Sequence, residues 1–276
     1  YNEPLAIDTA DGLNRTELEM LSGRTAARYE AMRCWTASDG LPPISIQTRE
    51  QYQRNNSDLF ANVTTKDRLY GNAQYETTMM IGSETDYWQL REENRGSTVQ
   101  GFYNFQEDRI VIVSDSPDSL LIDEQTLAQE LGHAIQDQQF NLSRYDPETT
   151  DADLGQQAVI EGDANLIDYR YQQACENGLW DQPCVTESSQ DGDGGGGELA
   201  SWGLYLTNFQ PYSDGQSFIE YLHEERYDGN WSAIDALYAN DRIPETAYPS
   251  VYPDQFGAID YADVEVEDWS DDNWER

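Results

Sequence analysis

The sequence predicts an α+β fold: a small mixed sheet, with two long helices packed together beside it. Three observations predict it. Apolar residues recur at helical spacing over 11–35, 126–140 and 155–175. Short runs between them alternate or are wholly apolar, as in Ile44-Ser45-Ile46-Gln47-Thr48 and Ile110-Val111-Ile112-Val113. The order over 99–175 is strands, then helix, then helix, which sets the two helices beside the sheet. A chain of 276 residues is long enough to bury a proper core. Residues 1–259 are expected to form one domain and 260–276 an acidic arm.

The first helix spans 11–35, capped by Asn14 or Asp11, with Leu18, Leu21, Thr25, Ala26, Tyr29 and Met32 on its core face. Gly40-Leu41-Pro42-Pro43 ends that segment, and a strand follows at 44–48. A helix starts over 49–54 and gives way to a loop at 55–65. Residues 66–81 read as a helix with Leu69, Ala73, Met79 and Met80 as core contacts. Strands at 99–105 and 109–114 pair across a tight Gln106-Glu107-Asp108 turn, and the apolar run makes the second one central. A Ser/Asp/Pro loop leads to the helix at 126–140, capped by Asp123 or Asp118. An acidic loop at 145–153 precedes the helix at 155–175. The QDGDGGGG run at 190–197 is of low complexity and should be mobile, and it lacks the twelfth-position carboxylate of a calcium loop. Short helices at 199–209, 215–225 and 231–239 should add to the same body, and 264–267 alternates like a short strand.

The formal charge is −37, from 53 acidic and 16 basic residues, with Lys66 the one lysine. Such a surface repels itself in dilute buffer. At 1 M salt the Debye length is about 3 Å and the repulsion is screened. The carboxylates are spread along the whole chain, which points to a very salty environment rather than to a local ion site. Nucleic acid is excluded as a partner, since nothing here would neutralise phosphates. No run of about 18 apolar residues is present to span a membrane.

Five Asn-x-Ser/Thr sequons, at Asn14, Asn55, Asn62, Asn141 and Asn230, point to a secreted, glycosylated chain. Cys175 and Cys184 bracket a short turn-rich loop and are expected to form a disulfide. Cys34 is left over and reads as a buried apolar residue near a helix end.

The chemistry centres on Gln129-Glu130-Leu131-Gly132-His133. A zinc protease helix carries His-Glu-x-x-His, in which two histidines four residues apart grip one ion and the Glu serves as general base. Here the Glu and the second His stand, and Gln129 takes the place of the first ligand. A following helix carries Glu161-Gly162-Asp163-Ala164. This order resembles the core of the gluzincin metallopeptidases, whose third zinc ligand is a Glu on the next helix. More narrowly, TLAQELGHAIQDQQF resembles the TLAHELxHALQDQxF stretch of a haloarchaeal cell-surface protein family, and VIEGDAN resembles its VEGDAN stretch. DGLNRTELEMLSGRTAARYEAMR, PISIQTREQY, EDRIVIVSDS and DGQSFIEYL are similar to that family too, so the likeness runs through most of the chain.

The resemblance implies a zincin-like fold on a secreted or cell-surface protein. It makes Glu130 the general base, His133 the second zinc ligand and Glu161 the third. Asp163 would support a ligand through a hydrogen bond. The first ligand does not carry over, because a Gln amide is a poor match for zinc. His223 is the one other histidine; it reads as a partly exposed surface residue, with recruitment as a ligand the alternative. The family's late His-Pro-x-x-Tyr stretch is Tyr248-Pro249-Ser250-Val251-Tyr252 here, so a second histidine is missing. The expectation is a pseudo-metallopeptidase without a cofactor. It would bind proteins at the cell surface or self-assemble there, its 18 Tyr and 7 Trp supplying anchors. The alternative is an active zinc endopeptidase with a changed ligand set.

Overall fold

The computed structural model describes residues 2, 4–114, 116, 120, 122–185, 199–239 and 242–257. The expected mobile run at 190–197, the strand at 264–267 and the arm at 260–276 lie outside them. Helix α1 (Arg15–Arg33) begins at Asn14, whose side chain accepts from the Thr16 and Glu17 amides while Glu17 reaches back to the Asn14 amide. It ends at Cys34 in the left-handed region. Strand β1 (Ile44–Gln47) leads into α2 (Arg49–Phe60), α3 (Thr65–Thr77) and α4 (Tyr87–Thr98). Strands β2 (Gly101–Asn104) and β3 (Arg109–Val113) then complete the sheet. Its order is β1-β3-β2, with β1 parallel and β2 antiparallel to β3. The apolar run is thus the central strand, with Ile110–Val113 all buried.

Helix α5 (Glu124–Phe140) lies beside the sheet, capped by Asp123. Leu127 and Leu131 pack with Leu18 and Leu21 of α1 and with Ile110 and Ile112 of β3. Helix α6 (Thr150–Glu176) runs from a Thr149 cap and joins a second core, formed with α7 (Trp202–Tyr221) and α8 (Trp231–Ala239). Val159 and Leu166 of α6 meet Phe218, Ile219, Ile234 and Leu237 there. The turn α9 (Tyr248–Val251) packs on α7. The mixed α+β class is as the sequence predicts.

Two charged clusters are buried in this body. Glu124 accepts from Arg24 at 2.7 Å, Arg28 at 2.8 Å, Tyr171 at 2.5 Å and the Val185 amide at 2.8 Å. The Cys175–Cys184 disulfide forms as expected and holds the loop that delivers Val185. Arg33 grips Asp163 through two bonds and lies between the rings of Trp35 and Trp231. A buried charge survives only when paired and hydrogen-bonded, which is how each Arg here is held.

Several boundaries differ from the sequence reading. The expected loop at 55–65 is helical as far as Phe60, so Asn55 sits on a helix. Helix α4 has no counterpart in the sequence reading. Leu69, Ala73, Met79 and Met80 are exposed, because α3 buries Gly71 and Tyr75 instead, with Tyr75 stacked on Tyr87 of α4. The acidic loop at 145–153 ends at Thr149, where α6 starts. The two helices expected at 199–209 and 215–225 are one helix that continues through Pro211, followed by a π turn at Leu222–Arg226. Cys34 is exposed, its side chain facing outward at the left-handed cap between buried Arg33 and Trp35.

Candidate functional site

Helices α5 and α6 face each other along a polar ladder. Gln125 Nε2 donates to Asp168 at 2.8 Å. Gln129 Nε2 donates to Asn165 Oδ1 at 3.0 Å. His133 Nε2 forms an ion pair with Glu161 Oε2 at 3.2 Å. Gln136 Nε2 donates to the Ile160 carbonyl at 3.0 Å. Numbers rise along α5 as they fall along α6, so the helices are antiparallel. The first three rungs are about one helical turn apart on both helices, and the fourth lies a turn further along α5 but only one residue along α6. The structure therefore brings together His133 and Glu161, and sets Gln129 one turn away on the same face.

Three other elements close the site. From β2, the Tyr103 backbone lies close to the Glu130 carboxylate and favours its charged form. From α7, the Tyr212 hydroxyl lies close to the Glu161 charge, and the Tyr212 carbonyl accepts from Asn165 at 3.1 Å. Tyr29 of α1 lies against Gly132, where an added Cβ would come within 2.6 Å of its ring and hydroxyl. Only glycine fits the fourth position of the motif.

Burial raises Glu130 to about 7, with Glu161 and Asp168 adding to the push and His133 opposing it. Burial acts downward on His133, but the Glu161 carboxylate outweighs it and holds the imidazole up at about 9. Its other nitrogen faces Gln136 Oε1 at 3.1 Å. Tyr212 is pushed well above the usual phenol value, by the Glu161 charge and then by burial.

Asp163 does not serve as expected. Its carboxylate is taken by Arg33 and by the Tyr238 hydroxyl at 3.0 Å. Tyr238 in turn accepts from Gln136 at 2.7 Å, so Asp163 reaches His133 only through Tyr238 and Gln136. His223 is buried at 6% exposure, against Trp231 and with Glu224 at 2.9 Å. It is neither a surface residue nor a partner of His133. Tyr248 is exposed and packs at a tilt against Tyr252. All five sequon asparagines are exposed.

The donor set does not fit zinc. A catalytic zinc takes three protein ligands and leaves a fourth place open. Here one imidazole and one carboxylate are paired with each other, and the first ligand position offers an amide already bonded to Asn165. Among the described residues no group of three His, Cys, Asp or Glu side chains is arranged to hold a metal. Tyr212, Asn165, Asp168 and Gln136 were not singled out by the sequence. The stripe Gln125, Gln129, His133, Gln136 was a visible signal for the ladder; nothing local marks Tyr212. No family model, curated protein or solved structure matches this chain.

Proposed function

We propose that this chain is a non-catalytic surface protein of a high-salt organism, built on a zincin-like helix pair. A direct ion pair stands where such a fold would hold its metal. One observation carries the reading: His133 and Glu161 meet at 3.2 Å, while Gln129, at the first ligand position, bonds Asn165. Without a metal-bound water, Glu130 has no nucleophile to activate. The helices keep their places through the ladder, and the role left to the protein is binding or assembly. The exposed sequons, the disulfide and the acidic composition support an extracellular setting.

One observation favours the other reading, an active endopeptidase with an altered ligand set: Glu130 is held near neutrality, as a general base would be. The two readings part on a peptidase assay in molar salt, with zinc supplied. The proposed role predicts no hydrolysis above background. Hydrolysis that is lost in Glu130→Gln would overturn it.

A further inference from the structure

We propose that the cavity between α1, the N-terminal segment and the disulfide loop binds a small apolar carboxylate, one acid group on a short branched hydrocarbon tail. The cavity has a volume of about 320 Å³, at the lower end of the range for small-ligand sites. Arg24 of α1 lines it and is 8% exposed. Among the described residues the one hydrogen bond of its side chain runs from Nη2 to Glu124 at 2.7 Å. Its Nε is buried and meets no acceptor among them. Glu124 does not fully compensate Arg24, because the same carboxylate also takes Arg28, Tyr171 and the Val185 amide. A buried guanidinium with an unmet donor, lining open space, is a place for an acceptor from outside.

The lining says what that acceptor is attached to. Leu5 and Ile7 of the N-terminal segment and Pro183 and Val185 of the loop give the cavity apolar surface, against which a hydrocarbon tail can pack. Among the described residues no carboxylate lines it, so nothing there repels an acid group. The lining is also held in place in advance. Val185 bonds Glu124 through both its amide and its carbonyl, and the Cys175–Cys184 disulfide ties the loop to α6. A ligand then bears little of the cost of ordering its own site. Charge narrows the acid to a single negative charge. A phosphate dianion would bury a second charge unpaired and would meet the repulsion of a −37 chain more strongly. Molar salt screens that repulsion at the surface, and screens a buried pair much less. The cavity shares no residue with the α5–α6 ladder, so the proposal is independent of whether that ladder holds a metal.

The test is a ligand-observed NMR titration of the full chain with isocaproate in molar NaCl. Saturable binding at one site per chain is expected, with the neutral isocaproamide and the short acetate each weaker by about tenfold or more. Arg24→Gln should weaken isocaproate by a similar factor. That variant touches the Glu124 cluster, so its circular dichroism spectrum is compared with the parent's. Ile7→Trp is the second variant, since it fills the cavity and leaves Arg24 and Glu124 in place. It should abolish binding in a folded chain. A parent chain with no saturable binding overturns the proposal. Isocaproamide that binds as tightly as isocaproate overturns it too, by showing no role for the charge. Acetate that binds as tightly overturns it by showing an adventitious anion only. So does isocaproate binding that survives both variants.

Discussion

Asp168 closes one end of the polar ladder, and its second carboxylate oxygen is buried without a hydrogen-bond partner. Burial raises it from 3.8 to about 7, Asp123 adding to the push and the Gln125 amide opposing it. A carboxyl raised on folding contributes stability that is complete below its unfolded value and is lost as pH rises through its folded one. Asp168→Asn should therefore be close to neutral at pH 4 and stabilising by on the order of 1–2 kcal/mol at pH 8, after discounting for water's access. Urea titrations at the two pH values check this, and an equal effect at both would contradict it. His133 has the same sign. The stability gained from its pair with Glu161 is complete below 6.5 and is lost as pH rises through about 9. The pair is therefore intact at neutral pH.

Helices α6 and α7 meet backbone to backbone. A Cβ on Gly162 would lie 2.3 Å from the Gly215 carbonyl, and one on Gly215 equally close to the Ala158 oxygen. Gly162→Ala should cost about 3 kcal/mol, since neither backbone can give way. A melting temperature within a degree or two of the parent would show that the helices are free to separate. This contact also explains a difference between sequence and structure. Pro211 and Gly215 read as a break, because proline removes a helix hydrogen bond and glycine weakens a helix. Packing on α6 overrides both, and needs the glycine. Helices α1, α5 and α6 were legible because their apolar faces repeat over many turns. Helix α4 was not, because it buries Tyr87, Asn94 and Gly96 and has little apolar period to see. Asn94 bonds the Ser201 backbone in both directions, a role no local pattern announces.

Across the whole molecule, charge is divided by depth. Arg24, Arg28 and Arg33 are buried with their carboxylate partners, so a share of the few cations cannot offset the acidic surface. Lowering salt below about 1 M should lengthen the screening distance and swell or unfold the chain. Small-angle scattering and circular dichroism across a salt series would read this, and unchanged stability in dilute buffer would count against a high-salt habitat. The site was legible in part at this scale. Glu130, His133 and Glu161 followed from motif and order along the chain. The cross-helix register that gives Gln129 to Asn165, and the closure by Tyr212 and β2, came only with the assembled body.

We propose that the His133–Glu161 ion pair stands where a zinc ion would otherwise be held. Zinc content of the parent and of Gln129→His, measured side by side after purification in molar salt with zinc present, tests it most directly. The account predicts zinc far below one per chain in the parent and close to one per chain in the variant, because His133 and Glu161 already lie together. Stoichiometric zinc in the parent would contradict it, as would a folded Gln129→His chain that binds none.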